Sequence, residues 1–136
     1  MIKSEEDLAH IPPIIAIDFD ETIVTGGYPD INKAKVINGA KEGMIEIKNA
    51  GWRIAIWTCR CGGYDKLAKN FLKDNNMPYD SFNENAITPK EFKEYGYKDS
   101  RKIGADIYID DRQPFYEIDW GIITPTILKI YDKRRK

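Results

Sequence analysis

The sequence predicts an α/β domain in which helices flank a parallel β-sheet, and three observations predict it. Apolar runs rich in β-branched residues recur at 14–19, 52–58 and 105–109. Stretches with apolar residues at helical spacing lie between them. Each run also stops abruptly at polar groups: Asp18 and Asp20, then Thr58, then Asp110 with Asp111. Such runs suit strands buried on both faces, and strands alternating with helices imply right-handed parallel crossovers.

The elements follow in order. Residues 1–13 read as a loose lead-in closed by Pro12-Pro13, and the first strand occupies 14–19. Residues 20–37 carry Gly26-Gly27, Pro29 and Asp30-Ile31-Asn32, which is turn chemistry. Asn38 is placed to cap a helix whose apolar positions are Ala40, Met44 and Ile47, with Gly51 ending it. A second strand runs from Trp52 to Thr58. Gly62-Gly63 then opens a helix with the stripe Tyr64, Leu67, Ala68, Phe71 and Leu72, stopped by Asn75-Asn76 and Pro78. A weak strand is expected near Tyr79–Phe82. Thr88-Pro89-Lys90-Glu91 has the capping-box pattern for a short helix to Tyr95. Residues 96–104 read as a basic loop before the third clear strand, 105–109. Pro114–Trp120 reads as a turn of helix, and Thr124-Pro125 as the start of a C-terminal helix through Ile127, Leu128 and Tyr131. Trp57, Phe71 and Tyr108 are expected in the core, and His10 at the surface.

The 136 residues fit a single domain with its own core. A hydrophobic fraction of 42%, a charged fraction of 32% and a net charge of −1 describe an ordinary soluble protein with no global pull toward nucleic acid or membrane. The start is acidic (Glu5, Glu6, Asp7). The tail is basic (Lys129, Lys133, Arg134, Arg135, Lys136) and reads as a solvated, frayed end. No apolar run approaches the roughly 20 residues of a membrane span, and no signal-peptide layout opens the chain. A cytoplasmic location is therefore expected. Cys59 and Cys61 are too close for an ordinary disulfide, and with His10 they fall short of a zinc site; both thiols are expected to be reduced.

In a parallel sheet the carboxyl ends of all strands share one edge, where α/β folds bind ligands. Asp18, Asp20, Thr58, Asp110 and Asp111 must therefore converge, with Lys102 just ahead of the last strand. Buried carboxylates are costly unless compensated. Several at one point suit Mg²⁺, a hard cation that takes oxygen ligands. A lysine and a threonine hydroxyl suit phosphoryl oxygens. An aspartate can attack phosphorus, and a second carboxyl on the same side of the strand, at i+2, can serve as acid and base. Against this stands the ordinary use of strand-end acids and threonines as caps. Lys98 and Arg101 rival Lys102. Arg60 either reaches substrate or pairs with a carboxylate, and Tyr28 either gates the site or is simply solvated.

Asp18-Phe19-Asp20-Glu21-Thr22 resembles the Asp-x-Asp-x-Thr signature of the haloacid dehalogenase (HAD) superfamily of phosphotransferases. Thr58 in Ile-Trp-Thr-Cys-Arg resembles its second motif, Lys102 its third and Asp110-Asp111 its fourth, over residues 14 to about 120. The resemblance implies a Rossmann-like core and an Mg²⁺-dependent phosphohydrolase working through an aspartyl-phosphate. Asp18 would be the nucleophile. Asp20 would be the acid/base and lend its backbone carbonyl to the metal. Thr58 and Lys102 would hold phosphoryl oxygens, and Asp110, Asp111 or both would complete the metal site. Glu21 departs from the pattern, since glycine is common there. Only about 35 residues separate Thr22 from Thr58, and about 43 separate Thr58 from Lys102. Helices of the core fill most of both gaps, so the chain looks like a capless member with an open site.

The partner is then a phosphorylated substrate of unknown identity, and an oligomer is open. Tyr108-Ile109-Asp110-Asp111-Arg112 with Trp120 loosely resembles the phosphatase domain of polynucleotide kinases, so nucleic-acid end processing is one alternative. The neutral charge disfavours it. A non-catalytic module binding Mg²⁺ or phosphate on the same scaffold is another. A signalling receiver domain would need its acidic pair after the first strand and its acceptor aspartate after the third; here the order is reversed.

Overall fold

In the computed structural model, residues 11–95 and 102–135 are described. His10, Glu5, Glu6, Asp7, Lys98, Arg101 and Lys136 lie outside them. Strand β1 (Ile14–Ile17) is buried along its whole length, as an apolar β-branched run should be. A small antiparallel pair follows, β2 (Val24–Thr25) with β3 (Lys35–Val36), enclosing a 3₁₀ turn at Ile31–Lys33. Then come α1 (Ala40–Asn49), β4 (Arg53–Ile56), α2 (Tyr64–Asp74), β5 (Ser81–Phe82), α3 (Pro89–Tyr95), β6 (Ile107–Ile109) and α4 (Trp120–Arg135). The main sheet is parallel throughout, in the order β5-β4-β1-β6. The expected α/β architecture is present.

The two faces of this sheet differ. On one, Ile15, Ile17, Ile54, Ile56 and Ile109 join Met44 and Ile47 of α1, Ala68 and Leu72 of α2, and Trp120, Ile123 and Ile127 of α4 in the large core. Helices α1 and α4 approach closely: a methyl at Gly43 would lie 2.4 Å from Thr124 Oγ1 and 2.8 Å from the Trp120 ring. The other face carries a small cluster of Ile14, Ala16, Ala55, Ala86 and Ile103. There α3 is tied down by Arg53 of β4, whose guanidinium donates to both Glu91 carboxylate oxygens at 2.6 and 2.9 Å. That guanidinium holds the Glu91 carboxyl down at about 2. The capping box is present as expected, with the Thr88 N–H donating to Glu91 and the Glu91 N–H donating to Thr88 Oγ1.

Several local expectations differ from the structure. Asn38 does not cap α1; Gly39 does, at φ +83° with no side-chain hydrogen bond. A left-handed entry favours glycine over asparagine. The segment 20–37 is not only turns but holds the β2–β3 pair. Helix α4 starts at Trp120 rather than Thr124, because the Asp119 carboxylate accepts the Gly121 N–H at 2.9 Å and caps it there. Pro125 is thus inside the helix, and residues 114–119 are not helical. The helix also carries the chain to Arg135, so Lys129, Lys133, Arg134 and Arg135 are helical, where the sequence predicts a frayed end. In α2 the expected stripe is only half realised. Ala68 and Leu72 are buried and Phe71 is half-buried, but Tyr64 and Leu67 are exposed. Tyr108, expected in the core, is exposed on the thinner face, where it packs edge-on against half-buried Trp57.

Candidate active site

The strand ends bring the motifs together through backbone hydrogen bonds. The Asp18 N–H donates to the Ile109 carbonyl at 3.0 Å, which sets Asp18 beside Asp110. The Trp57 N–H donates to the Ile17 carbonyl at 2.9 Å, which sets Thr58 on the other flank of Asp18. The Thr58 N–H in turn donates to Asn83 Oδ1 at 2.8 Å, anchoring the end of β4 to the turn after β5. Asn83 was not singled out from the sequence, although an asparagine following a short strand is a usual turn signal.

Asp18, Asp20, Thr58, Arg60, Asp110 and Asp111 line one cleft of about 600 Å³ at this edge. Within it Asp18, Asp110 and Asp111 each offer a carboxylate oxygen, and these oxygens lie within 4.8 Å of one another. No lysine or arginine among the described residues forms an ion pair with any of the three. Burial pushes the Asp18 carboxyl up from its usual 3.8 to about 8. A hydrogen bond with Asp111 and repulsion from Asp110 add to the effect. Thr22 Oγ1 donates to Asp18 at 3.2 Å, which gives the signature threonine a positioning role. The Thr22 carbonyl accepts the Trp120 indole N–H at 2.9 Å, so α4 braces the loop that carries the first motif.

Asp20 is treated differently. Its two oxygens accept from Arg60 Nε and Nη2, both at 2.7 Å, and its carboxylate is not part of the three-acid cluster. Arg60 is itself buried. It also donates to the carbonyls of Gly27 and Tyr64 and stacks on Phe19 and Tyr28. Of the two readings of Arg60, the structure shows carboxylate pairing and not a free cation for substrate. Thr58 Oγ1 accepts the Arg60 backbone N–H at 3.2 Å, and this leaves the hydroxyl proton available to another acceptor.

Lys102 does not line the cleft; its ammonium lies 4.7 Å from the centre of the Tyr108 ring. Its expected place next to Asp18 is therefore not seen, because the approach to β6 carries it over the thinner face of the sheet. Lys98 and Arg101 lie outside the described residues. The cation that the sequence reading passed over is Arg112, which lines the cleft directly after Asp110-Asp111 and is exposed. Its backbone N–H donates to Asp110 Oδ1 at 3.0 Å.

Glu21 has φ +59°, a left-handed conformation that glycine adopts at little cost. Its carboxylate accepts Thr25 Oγ1 at 2.8 Å and the Gly26 N–H at 3.1 Å. The glutamate therefore fastens the β2–β3 turn at the position where the resemblance would allow glycine.

Fold and site together define a parallel α/β protein with an oxygen-ligand cluster at the carboxyl edge of its sheet. No family model matches the chain, and no curated protein matches it. Among solved structures it is similar to a conserved protein from Bacteroides thetaiotaomicron, with 31% identity and a TM-score of 0.72. The match covers 88% of this chain and 93% of that one. The chain belongs to the family of that conserved protein, whose description names no activity.

Proposed function

We propose that the protein is a phosphomonoesterase of the HAD type that depends on a divalent cation such as Mg²⁺. The observation that carries this reading is the cluster of Asp18, Asp110 and Asp111, three carboxylates that form no ion pair with a cation among the described residues. The donor set is all oxygen, so it fits a hard divalent cation. Such a cation would keep Asp18 ionised and neutralise phosphoryl oxygens as charge develops. Asp18, Asp110 and Asp111 would hold it through their carboxylates; in the HAD pattern Asp20 contributes its backbone carbonyl.

Ionised Asp18 attacks phosphorus in line, a bond forms from Asp18 oxygen to phosphorus, and the ester P–O bond breaks. Asp20 delivers a proton to the departing oxygen. A water molecule, deprotonated by Asp20, then attacks the aspartyl-phosphate, the Asp18–phosphorus bond breaks and inorganic phosphate leaves. Both Asp20 oxygens accept guanidinium donors, so delivering a proton from either one requires the Arg60 pairing to open. Arg60 is accordingly a positioning residue for Asp20. The Thr58 hydroxyl is free to donate to a phosphoryl oxygen, and Arg112 is the cleft-lining cation for the same charge. In the HAD pattern this last task falls to Lys102.

The test is hydrolysis of an aryl phosphate with Mg²⁺ and with chelator, run beside Asp18→Asn. Metal-dependent turnover that falls by about 10,000-fold in the variant supports the reading. Equal turnover with and without chelator, or activity retained in Asp18→Asn, contradicts it.

A further inference from the structure

If phosphorus sits at the acid cluster, the rest of the same cleft must receive the leaving group, and this inference rests on that reading for the position of phosphorus. Two tyrosines stand along the way out. Tyr28, in the turn between β2 and β3, and Tyr64, the first residue of α2, have ring centres 5.2 Å apart and planes inclined by 52°. They remain 61% and 39% exposed despite touching each other. Tyr28 is braced by Arg60, whose guanidinium carbon lies 5.3 Å from its ring centre and 5.1 Å from that of Phe19. The brace is the guanidinium that pairs with Asp20, so the aromatic surface is fixed relative to the reacting end of the cleft. Gly62 lines the same cleft, and even an added methyl there would meet nothing within 4 Å. An exposed aromatic pair lining the cleft offers a π-face of the kind on which planar rings stack.

We infer that the cleft selects phosphate monoesters whose leaving group carries a flat aromatic ring, stacked on Tyr28 and Tyr64. An aryl alcohol and a nucleoside share this chemistry.

Phosphonates, whose P–C bond resists hydrolysis, allow the inference to be read as equilibrium binding. Methylphosphonate, benzylphosphonate and the phosphonate analogue of adenosine monophosphate are each titrated into the wild type, Tyr28→Leu and Tyr64→Leu in the presence of Mg²⁺. At least one aromatic ligand should bind about tenfold more tightly than methylphosphonate to the wild type, with the ratio falling toward one in both variants. Preference for the benzyl ligand identifies an aryl group, and preference for the nucleoside analogue a base. Equal or absent binding of all three, or a ratio unchanged in both variants, overturns the inference. Discrimination without hydrolysis of any monoester would remove the catalytic reading and leave the aromatic site. Hydrolysis without discrimination would remove the aromatic site alone.

Discussion

Asp18 and Asp20 leave the same strand two residues apart, and the fold handles their charges in opposite ways. Asp20 receives a bidentate guanidinium from Arg60, whose side chain is 2% exposed. Asp18 receives two further carboxylates and one threonine hydroxyl. The first arrangement is complete within the protein. In the second, burial and the two neighbouring acids disfavour the charged form of Asp18, which a proton or a cation would relieve. Glu91 shows that the chain can compensate an acid where no ligand is concerned. Its carboxyl is pulled down to about 2 by Arg53, while that of Asp18 is pushed up to about 8.

The largest effect that would sharpen this contrast comes from removing the compensated acid. Asp20→Ala leaves the Arg60 guanidinium buried without its carboxylate, and chemical denaturation should show a loss of about 3 kcal/mol. A loss below about 0.5 kcal/mol would mean that the pair does not hold the cleft together. Next is the exposed cation that lines the same cleft. Arg112→Ala should lower kcat/KM for a phosphate monoester about tenfold or more, with Lys102→Ala changing it less than about twofold. The reverse ranking would restore the lysine to the role given it by the motif pattern.

The smallest effect has the opposite sign from the first. Between pH 3.8 and about 8, folded Asp18 keeps a proton that the unfolded chain has released. Stability without metal therefore falls as pH rises through that window. Asp18→Asn removes the loss. The variant should match the wild type below pH 3.8 and melt about 3–6 °C higher at pH 8 in chelator, once solvent screening of this part-exposed group is allowed for. A lower melting temperature at pH 8 would show that Asp18 is not strained by its neighbours.

Much of this was legible in the chain. The runs at 14–19, 52–58 and 105–109 carry enough β-branched apolar residues to declare buried strands, realised as Ile14–Ile17, Arg53–Ile56 and Ile107–Ile109, and their parallel order forces Asp18, Thr58 and Asp110-Asp111 to one edge. What the chain concealed depends on tertiary choices. Asn38 is the cap expected from residue type, and only the left-handed backbone at the start of α1 moves the cap to Gly39. The Thr124-Pro125 signal is overridden by Asp119 and by Trp120, whose indole is held by the Thr22 carbonyl. The position of Lys102 follows the course of the chain before β6, where no periodicity constrains it. Arg60 could pair or stay free on sequence grounds, because a contact across 40 residues with Asp20 leaves no local signature.

On the proposed reading, the Asp18 cluster would hold the cation, and Asp20, already paired with Arg60, would not be the charge that attracts it. Calorimetric titration of Mg²⁺ into the metal-free wild type, Asp18→Asn and Asp20→Asn tests this directly. One saturable site is expected in the wild type, lost in Asp18→Asn and kept within a few-fold in Asp20→Asn. No saturable binding, or binding that survives Asp18→Asn unchanged, would contradict it.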